Sequence, residues 1–121
     1  MDKTDIVIIG AGIAGITSAY YLQTKFPNLK FKIIESRNDL GGTWDQMRFP
    51  GVRADNDMYT YGFSFDPWNG SIIGDGKEIK NYLSNDICIN YAVSNNKLVS
   101  LKWLFENRNI LNLTFDDLTC S

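Results

Sequence analysis

Three closely spaced glycines near the N-terminus are the first residues whose spacing indicates chemistry. Gly10, Gly12 and Gly15 form a G-x-G-x-x-G pattern, with Ile13 and Ala14 inside it. In such a pattern the first glycine makes a tight turn, the second leaves room for a pyrophosphate, and the third lets a helix pack closely on a strand. The start of that helix offers free N–H groups and the positive end of its dipole. The pattern therefore predicts a phosphate-binding turn.

An acidic residue stands where a dinucleotide-binding unit needs one. Glu35 follows Gly15 by twenty residues. A carboxylate at this position hydrogen-bonds the ribose hydroxyls and repels a 2′-phosphate, so the predicted site suits FAD or NAD better than NADP. These residues do not separate FAD from NAD. The alternative is a turn whose glycines serve packing alone, and the flanking elements disfavour it.

The flanking elements are two apolar runs and a helical pattern. The β-branched run 5–9 is typical of a buried parallel strand, and residues 12–25 have a helical spacing of apolar side chains. Residues 30–35 form a second predicted strand that ends at Glu35. Residues 4–35 therefore predict a right-handed βαβ unit.

The rest of the chain divides into an irregular part and a regular part. Residues 36–76 are rich in glycine and aromatic side chains and have no lasting periodicity, which indicates a functional segment rather than a linker. Beyond it the pattern predicts a short helix over 77–83, a third parallel strand over 87–92 and an antiparallel hairpin over 97–115. The predicted fold class is α/β, a Rossmann-like domain with a parallel sheet and an antiparallel hairpin.

Composition excludes several classes of function. Twelve Lys and Arg against fourteen Asp and Glu give a net charge of −2, which argues against nucleic-acid binding through a basic face. The chain has no His, so Ser-His-Asp triads and His-based metal sites are excluded, and its two cysteines have no metal-binding spacing. The apolar run 6–19 lacks a positively charged flank, and no stretch is long enough for a membrane span. We therefore expect a soluble cytoplasmic protein that binds neither membrane nor metal.

Two further motifs carry a resemblance to a known family. Residues 41–44 are Gly-Gly-Thr-Trp, and residues 48–55 are Arg-Phe-Pro-Gly-Val-Arg-Ala-Asp. The order and spacing of these motifs after the glycine pattern resemble the class B flavoprotein monooxygenases, which comprise the flavin-containing and Baeyer–Villiger monooxygenases. The resemblance covers residues 5–68, and Asp75, Gly76 and Tyr82 continue it. It implies that residues 1–121 are an incomplete FAD-binding domain, with 36–76 on the flavin side.

The resemblance also implies a role for each matching residue. The FAD pyrophosphate would be lined by Gly10, Gly12 and Gly15, together with Ile13 and Ala14, and the adenosine ribose would be held by Glu35. The ribityl and flavin portions would lie beside Gly42, Thr43, Trp44 and Gln46. Asp55 and Tyr61 would border the flavin ring, where Asp55 would join the polar network around the reactive centre. Asp55 is therefore the candidate catalytic residue.

Plainer interpretations remain open for several of these residues. Trp44 is also explained as a core aromatic residue. Arg53 and Asp55 are also explained as an exposed ion pair. The alternation of aromatic residues over 59–65 is also explained by a half-buried strand.

Departures from the family limit the predicted function. The segment after Tyr82 differs from the family pattern, and no second glycine-rich strand-to-helix turn lies between Glu35 and Ser121. We expect the FAD-binding part of an FAD-dependent, NAD(P)H-using monooxygenase, with the NADPH site of the intact family enzyme absent and the chain alone inactive. The alternative is a non-catalytic dinucleotide-binding module or a remnant of a reading frame. An open parallel sheet edge would then invite a complementing chain or self-association. An NAD-dependent dehydrogenase is disfavoured by Gly-Gly-Thr-Trp.

Overall fold

The computed structural model describes residues 3–85 and 98–100. Its strands are β1 (Ile6–Ile9), β2 (Phe31–Glu35) and β3 (Leu98–Ser100). Its helices are α1 (Ile13–Lys25), α2 (Thr43–Gln46), α3 (Met58–Tyr61) and α4 (Gly76–Leu83). The predicted βαβ unit and the short helix after the irregular segment are therefore both present.

The strands form one parallel sheet in the order β1-β2-β3. Among the strands in the described part of the chain, this order places β1 at one edge and β2 in the centre, as in one half of a doubly wound α/β sheet. The α/β fold class with a parallel sheet is confirmed. The sheet brings the carboxyl ends of β1 and β2 together, so the turn after β1 lies beside Glu35 at the end of β2.

The third strand has a pairing that the sequence did not predict. The sequence pattern predicts that Leu98–Ser100 begins the antiparallel hairpin, and the structure pairs this strand in parallel with β2, with Ile33 opposite Leu98. Alternating apolar residues indicate a strand but do not identify its neighbour. Because β1 occupies only one edge of β2, the other edge of β2 can pair with Leu98–Ser100. The predicted strand over 87–92 and the hairpin pairing up to residue 115 lie outside the described residues.

Helix α1 covers one face of the sheet with small and branched side chains. Its buried residues are Gly15, Ile16 and Ala19, which follow the helical spacing that the sequence showed. The helix ends at Lys25 because Pro27 disfavours a helical conformation for the residue before it. Accordingly, Phe26 leaves the helical region, with φ −133° and ψ 63°.

The irregular segment is packed into the core. Met58 is fully buried, and Leu40, Phe63 and Trp68 are each 7% exposed. Phe63 stacks on Phe65 and on Tyr82 of α4, with ring centroids 4.8 and 5.2 Å apart. The segment therefore shares a core with the helices on either side of it, which agrees with its interpretation as something other than a linker.

Two one-turn helices within this segment were not predicted. The N-cap residue of helix α3 is Asp57, whose side chain accepts a hydrogen bond of 2.8 Å from the backbone N–H of Tyr59. The alternative of a half-buried strand starting at Tyr59 is therefore wrong for this turn. A single helical turn is too short to show a period of 3.6 residues, so hydrophobic periodicity cannot reveal it.

Candidate functional site

Residues 10–15, which we call the glycine loop, have the backbone geometry that their sequence predicts. Gly10 has φ +96°, a conformation that favours glycine. A Cβ atom at Gly15 would lie 2.0 Å from the carbonyl oxygen of Gly10, so only glycine allows α1 to start this close to β1. These two positions place the first turn of α1 directly over the end of the strand.

The N-terminus of α1 carries no side-chain cap. Gly12 is the N-cap residue, and the first turn contains no acidic residue. The first N–H groups of a helix have no partner within the helix, and they favour an anion at this end. The first turn includes Ile13 and Ala14, so the backbone of both predicted residues lies where a phosphate group would be bound.

Glu35 is buried, with 6% of its surface exposed, and its carboxylate orders the glycine loop. Its Oε2 accepts a hydrogen bond of 2.7 Å from the backbone N–H of Ala11, and its Oε1 accepts one of 2.9 Å from the N–H of Arg37. Burial acts to raise the pKa of Glu35, but these backbone hydrogen bonds hold the pKa below its ordinary value. The residue is therefore a fixed anion that joins the end of β2 to the glycine loop.

The second glycine motif lies directly against the first. The backbone N–H of Gly41 donates a hydrogen bond of 2.9 Å to the carbonyl oxygen of Ala11. A Cβ atom at Gly42 would lie 3.0 Å from the Cα atom of Gly12, and Gly42 has φ +55°. The two motifs, thirty residues apart in sequence, form one surface of bare backbone. We call residues 40–43 the diglycine loop.

Helix α2 follows the diglycine loop and carries the remaining predicted residues of that motif. Trp44 is half-buried, whereas Thr43 and Gln46 are exposed. The N–H of Gln46 donates to the carbonyl oxygen of Gly42 at 3.0 Å, so the helix continues directly from the loop. The position of Trp44 is therefore tied to the position of Gly42.

Three predicted flavin-side residues line one cavity. A cavity of about 240 Å³ is bounded by Trp44, Asp55 and Tyr61, together with Arg53, Ala54 and Asn56. Thr43 and Gln46 are not among the residues that line it. Arg53 and Asp55 do not form an ion pair with each other within residues 3–85, so the plain ion-pair interpretation is not supported. The structure brings Asp55 to the same space as the predicted aromatic residues.

A second and larger cavity lies on the side of α2 that faces α4. Its volume is about 720 Å³, and its walls include Trp44, Met47, Phe49, Val52 and Gly76. Trp44 lines both cavities. Sequence analysis assigned no role to this space, because its walls come from segments that lie apart in the sequence.

A cluster of charged side chains surrounds Asp45 on α2, and sequence analysis missed it. The Asp45 side chain is 10% exposed and lies 2.7 Å from Arg48, 3.3 Å from Lys80 and 3.7 Å from Arg37. Burial acts to raise the pKa of Asp45, but the hydrogen bonds from Arg48 and Lys80 hold it below its ordinary value. The cluster fixes α2 to the neighbouring helix α4. Lys80 lies 35 residues after Asp45 in the sequence, so no local pattern indicates this contact.

Comparison with known proteins identifies the fold family. A family model described as an NAD(P)-binding Rossmann-like domain matches residues 8–70. The chain belongs to this family. The matched range contains both glycine motifs, Glu35 and the wall of the smaller cavity. No helix among the described residues has the length and apolar character needed to cross a bilayer.

Curated relatives of this Rossmann-like chain are monooxygenases. It is 41% identical over 130 aligned residues to the FAD-containing monooxygenase EthA of Mycobacterium tuberculosis, covering 98% of this chain and 26% of EthA. It is 49% identical over 89 residues to the probable FAD-binding monooxygenase AlmA of an Acinetobacter species, covering 73% of this chain and 18% of AlmA. The chain therefore spans about a quarter or less of the length of these relatives.

Solved structures with a similar fold are also monooxygenases. An oxidized steroid monooxygenase bound to NADP superposes with a TM-score of 0.68 at 27% identity, covering 79% of this chain and 19% of that structure. The OTEMO complex with FAD and NADP gives a TM-score of 0.67 at 29% identity, covering 80% of this chain and 18% of that structure. The resemblance to flavoprotein monooxygenases that the sequence predicted is confirmed.

Proposed function

We propose that this chain binds FAD and forms the FAD-binding part of an NAD(P)H-using, flavin-dependent monooxygenase. The contact between the two glycine motifs supports this most directly. Gly12 and Gly42 meet backbone to backbone beside an uncapped helix N-terminus, in a space that a Cβ atom would fill. A dinucleotide needs such a surface, because its pyrophosphate must approach main-chain N–H groups closely.

Each predicted residue takes a role in this proposal. Gly10, Gly12 and Gly15, with the first-turn residues Ile13 and Ala14, would bind the pyrophosphate, and Glu35 would accept hydrogen bonds from the ribose. The flavin side would be formed by Gly42, Thr43, Trp44, Gln46, Asp55 and Tyr61. When bound, FAD supplies the redox chemistry, and the residues of this chain bind and orient it. Asp55 would take part in the polar network next to the flavin ring.

The same geometry sets the order of ligand preference. Glu35 is a buried anion, so it favours ribose hydroxyls and opposes a 2′-phosphate. The glycine loop with Glu35 would form one nucleotide site, and the sequence has no second G-x-G-x-x-G fingerprint after it. We therefore propose that NADPH does not occupy this loop, and that hydride transfer requires residues beyond those of this chain.

A partner surface is proposed at β1. Strands in parallel sheets are usually buried on both faces, but Val7 and Ile9 of β1 are 50% and 74% exposed. We propose that the chain self-associates or pairs with a complementing chain through its open sheet edge, and that the exposed face of β1 is covered in that assembly. We also propose that the protein works in the cytoplasm. Sedimentation of the chain and of Ile9→Lys tests self-association; a parent that is monomeric at every concentration contradicts it.

The experiment for FAD binding is a titration of the purified chain with FAD. We expect saturable binding, followed by the flavin absorption spectrum, and weaker binding of NADPH. Gly12→Val should not bind FAD, because its branched side chain would fill the space for the pyrophosphate. Its matched control is Ser18→Val, on the exposed face of α1, which should bind FAD like the parent. A parent chain that stays colourless and does not change the flavin spectrum contradicts the proposal.

A further inference from the structure

Lys80 of α4 reaches across to the diglycine loop. Its side chain is 17% exposed, and its Nζ donates a hydrogen bond to the carbonyl oxygen of Leu40. The same atom lies 2.9 Å from Oδ2 of Asp39 and 3.3 Å from Oδ1 of Asp45. An ammonium group has three donors, and here one backbone and two carboxylate acceptors on a single segment surround it.

The segment that Lys80 contacts is one that needs an external tether. Gly41 and Gly42 have φ +116° and +55°, and glycine loses more conformational freedom on folding than any other residue. A Cβ atom at Gly41 would lie 2.9 Å from Cδ of Lys80. The lysine stem therefore packs on the bare backbone of Gly41, while its charged end binds the residues on both sides of the glycine pair.

Helix α4 provides a firm base for this contact. Asp75 and Glu78 form a reciprocal capping box at its start. Ile79 and Leu83 are essentially fully buried, and the N–H of Gly76 donates to the carbonyl oxygen of Val52 at 2.8 Å. Residues on both sides of Lys80 are thus fixed by packing, so its ammonium group has a defined position.

We propose that Lys80 is a positioning residue for the cofactor site. It holds the diglycine loop against the glycine loop, through the contacts of Gly41 with Ala11 and of Gly42 with Gly12. The inference rests on the proposed FAD binding and adds to it a residue that lies outside both glycine motifs. Its effect should be larger on the flavin side, since α2 and Trp44 continue directly from the diglycine loop.

Variants at Lys80 test this role through the affinities for FAD and ADP. Lys80→Met keeps the stem and removes the donors, and we expect FAD binding to weaken about ten-fold, because hydrogen bonds to charged groups are lost. ADP contacts only the nucleotide half of the site, so its affinity should change less than about three-fold. Lys80→Arg retains a cation and should recover most of the FAD affinity.

The matched control is Lys77→Met, an exposed lysine on the same helix that removes the same charge. It should bind FAD like the parent, which separates the loop contact from general attraction of phosphates. Lys80→Gln keeps one donor for Leu40 and should lie between Lys80→Arg and Lys80→Met, so it carries the test if Lys80→Met does not fold.

Two outcomes separate the inference from the proposal on which it rests. A parent that binds FAD, with Lys80→Met and Lys80→Gln equal to it, overturns the positioning role alone. Equal losses of FAD and ADP affinity in these variants also overturn it, because they indicate general destabilisation. A parent that does not bind FAD overturns the proposed function and with it the role of Lys80.

Discussion

The βαβ unit (4–35) and the segment 36–76 hold their glycines in different ways. In the βαβ unit the glycine loop continues a strand ladder, and the N–H of Gly10 donates to the carbonyl oxygen of Ile34 at 2.7 Å. In the segment 36–76 the diglycine loop pairs with no strand of the described residues and depends on Ala11, on one helical turn and on Lys80. The first loop is fixed by the strand ladder together with the carboxylate of Glu35, whereas the second is fixed by single contacts from distant residues without a ladder.

Because of this difference, the two halves of the proposed site are sensitive to different substitutions. Backbone ladders tolerate most surface substitutions, because the hydrogen bonds do not depend on side chains. A loop held by a few side chains loses its position when one of them is removed. We therefore expect substitutions in the βαβ unit to act on the nucleotide half of the ligand, and those around segment 36–76 to act on the flavin half.

The largest expected effect is that of Gly12→Val, at the point where the two regions meet. A Cβ atom at Gly12 would already lie 3.6 Å from the Cα atom of Gly42, and the γ carbons of valine would fill the space for the pyrophosphate. We expect FAD and ADP binding to be lost while circular dichroism stays close to that of the parent. A Gly12→Val chain that still copurifies with flavin would show that the glycine contact is structural only.

The next largest effect is expected at Glu35, within the βαβ unit. Glu35→Ala removes the acceptor for the N–H of Ala11 and the proposed ribose contact, and each hydrogen bond to a charged acceptor contributes about 1.5–3 kcal/mol. We expect FAD and ADP affinities to fall together, by about ten-fold or more. Glu35→Gln retains an acceptor and should lose less. Unchanged titration curves for Glu35→Ala contradict the assignment.

Acid should lower the stability of both regions, because each contains one carboxylate with a lowered pKa, Glu35 in the βαβ unit and Asp45 in the segment 36–76. The pKa values of Glu35 and Asp45 are held below their ordinary values of 4.5 and 3.8. A lowered pKa in the folded state stabilises the fold above the ordinary pKa, and that contribution is lost as the pH falls through the folded pKa. Urea unfolding should show lower stability below these values than at neutral pH.

Single variants separate the two contributions to this pH dependence. Glu35→Gln and Asp45→Asn should each flatten part of the acid-side decline, since neither amide titrates in this range. An acid-side decline of the same steepness in parent and variants would contradict the assignment of these carboxylates.

The smallest expected effect is on NADPH, for which the sequence predicts no site in either region. Hydride transfer needs the nicotinamide held close to its acceptor, and that positioning contributes several kcal/mol, about 7–11 at most. We expect no NADPH consumption above a buffer control, with or without added FAD, measured by its near-ultraviolet absorbance. Sustained FAD-dependent consumption would require a nicotinamide site that the sequence does not show.

The two regions also differ in how much of them the sequence could predict. The strands, α1, Gly10, Gly12, Gly15 and Glu35 follow local periodicity and fixed spacing, so the βαβ unit could be predicted closely. Residues of the diglycine motif were found by resemblance to a family. The turns α2 and α3 are too short for periodicity, and their capping residues have many other uses in loops.

Long-range contacts were beyond sequence analysis for a physical reason. Lys80 binds a carbonyl group forty residues earlier, and Gly42 meets Gly12 thirty residues away. Such contacts arise from tertiary packing, and no local pattern records them. The parallel pairing of Leu98–Ser100 with β2 belongs to the same class, because an alternating pattern indicates a strand but not its partner.

The ratio of FAD to ADP affinity of the parent chain, measured by titration under one set of conditions, tests most directly whether the two regions form one site. If both regions form one site, the flavin half adds contacts at Trp44, Asp55 and Tyr61, and FAD should bind at least about ten-fold more tightly than ADP, a difference of about 1.4 kcal/mol. Equal affinities for FAD and ADP would contradict a shared site and leave the segment 36–76 outside it.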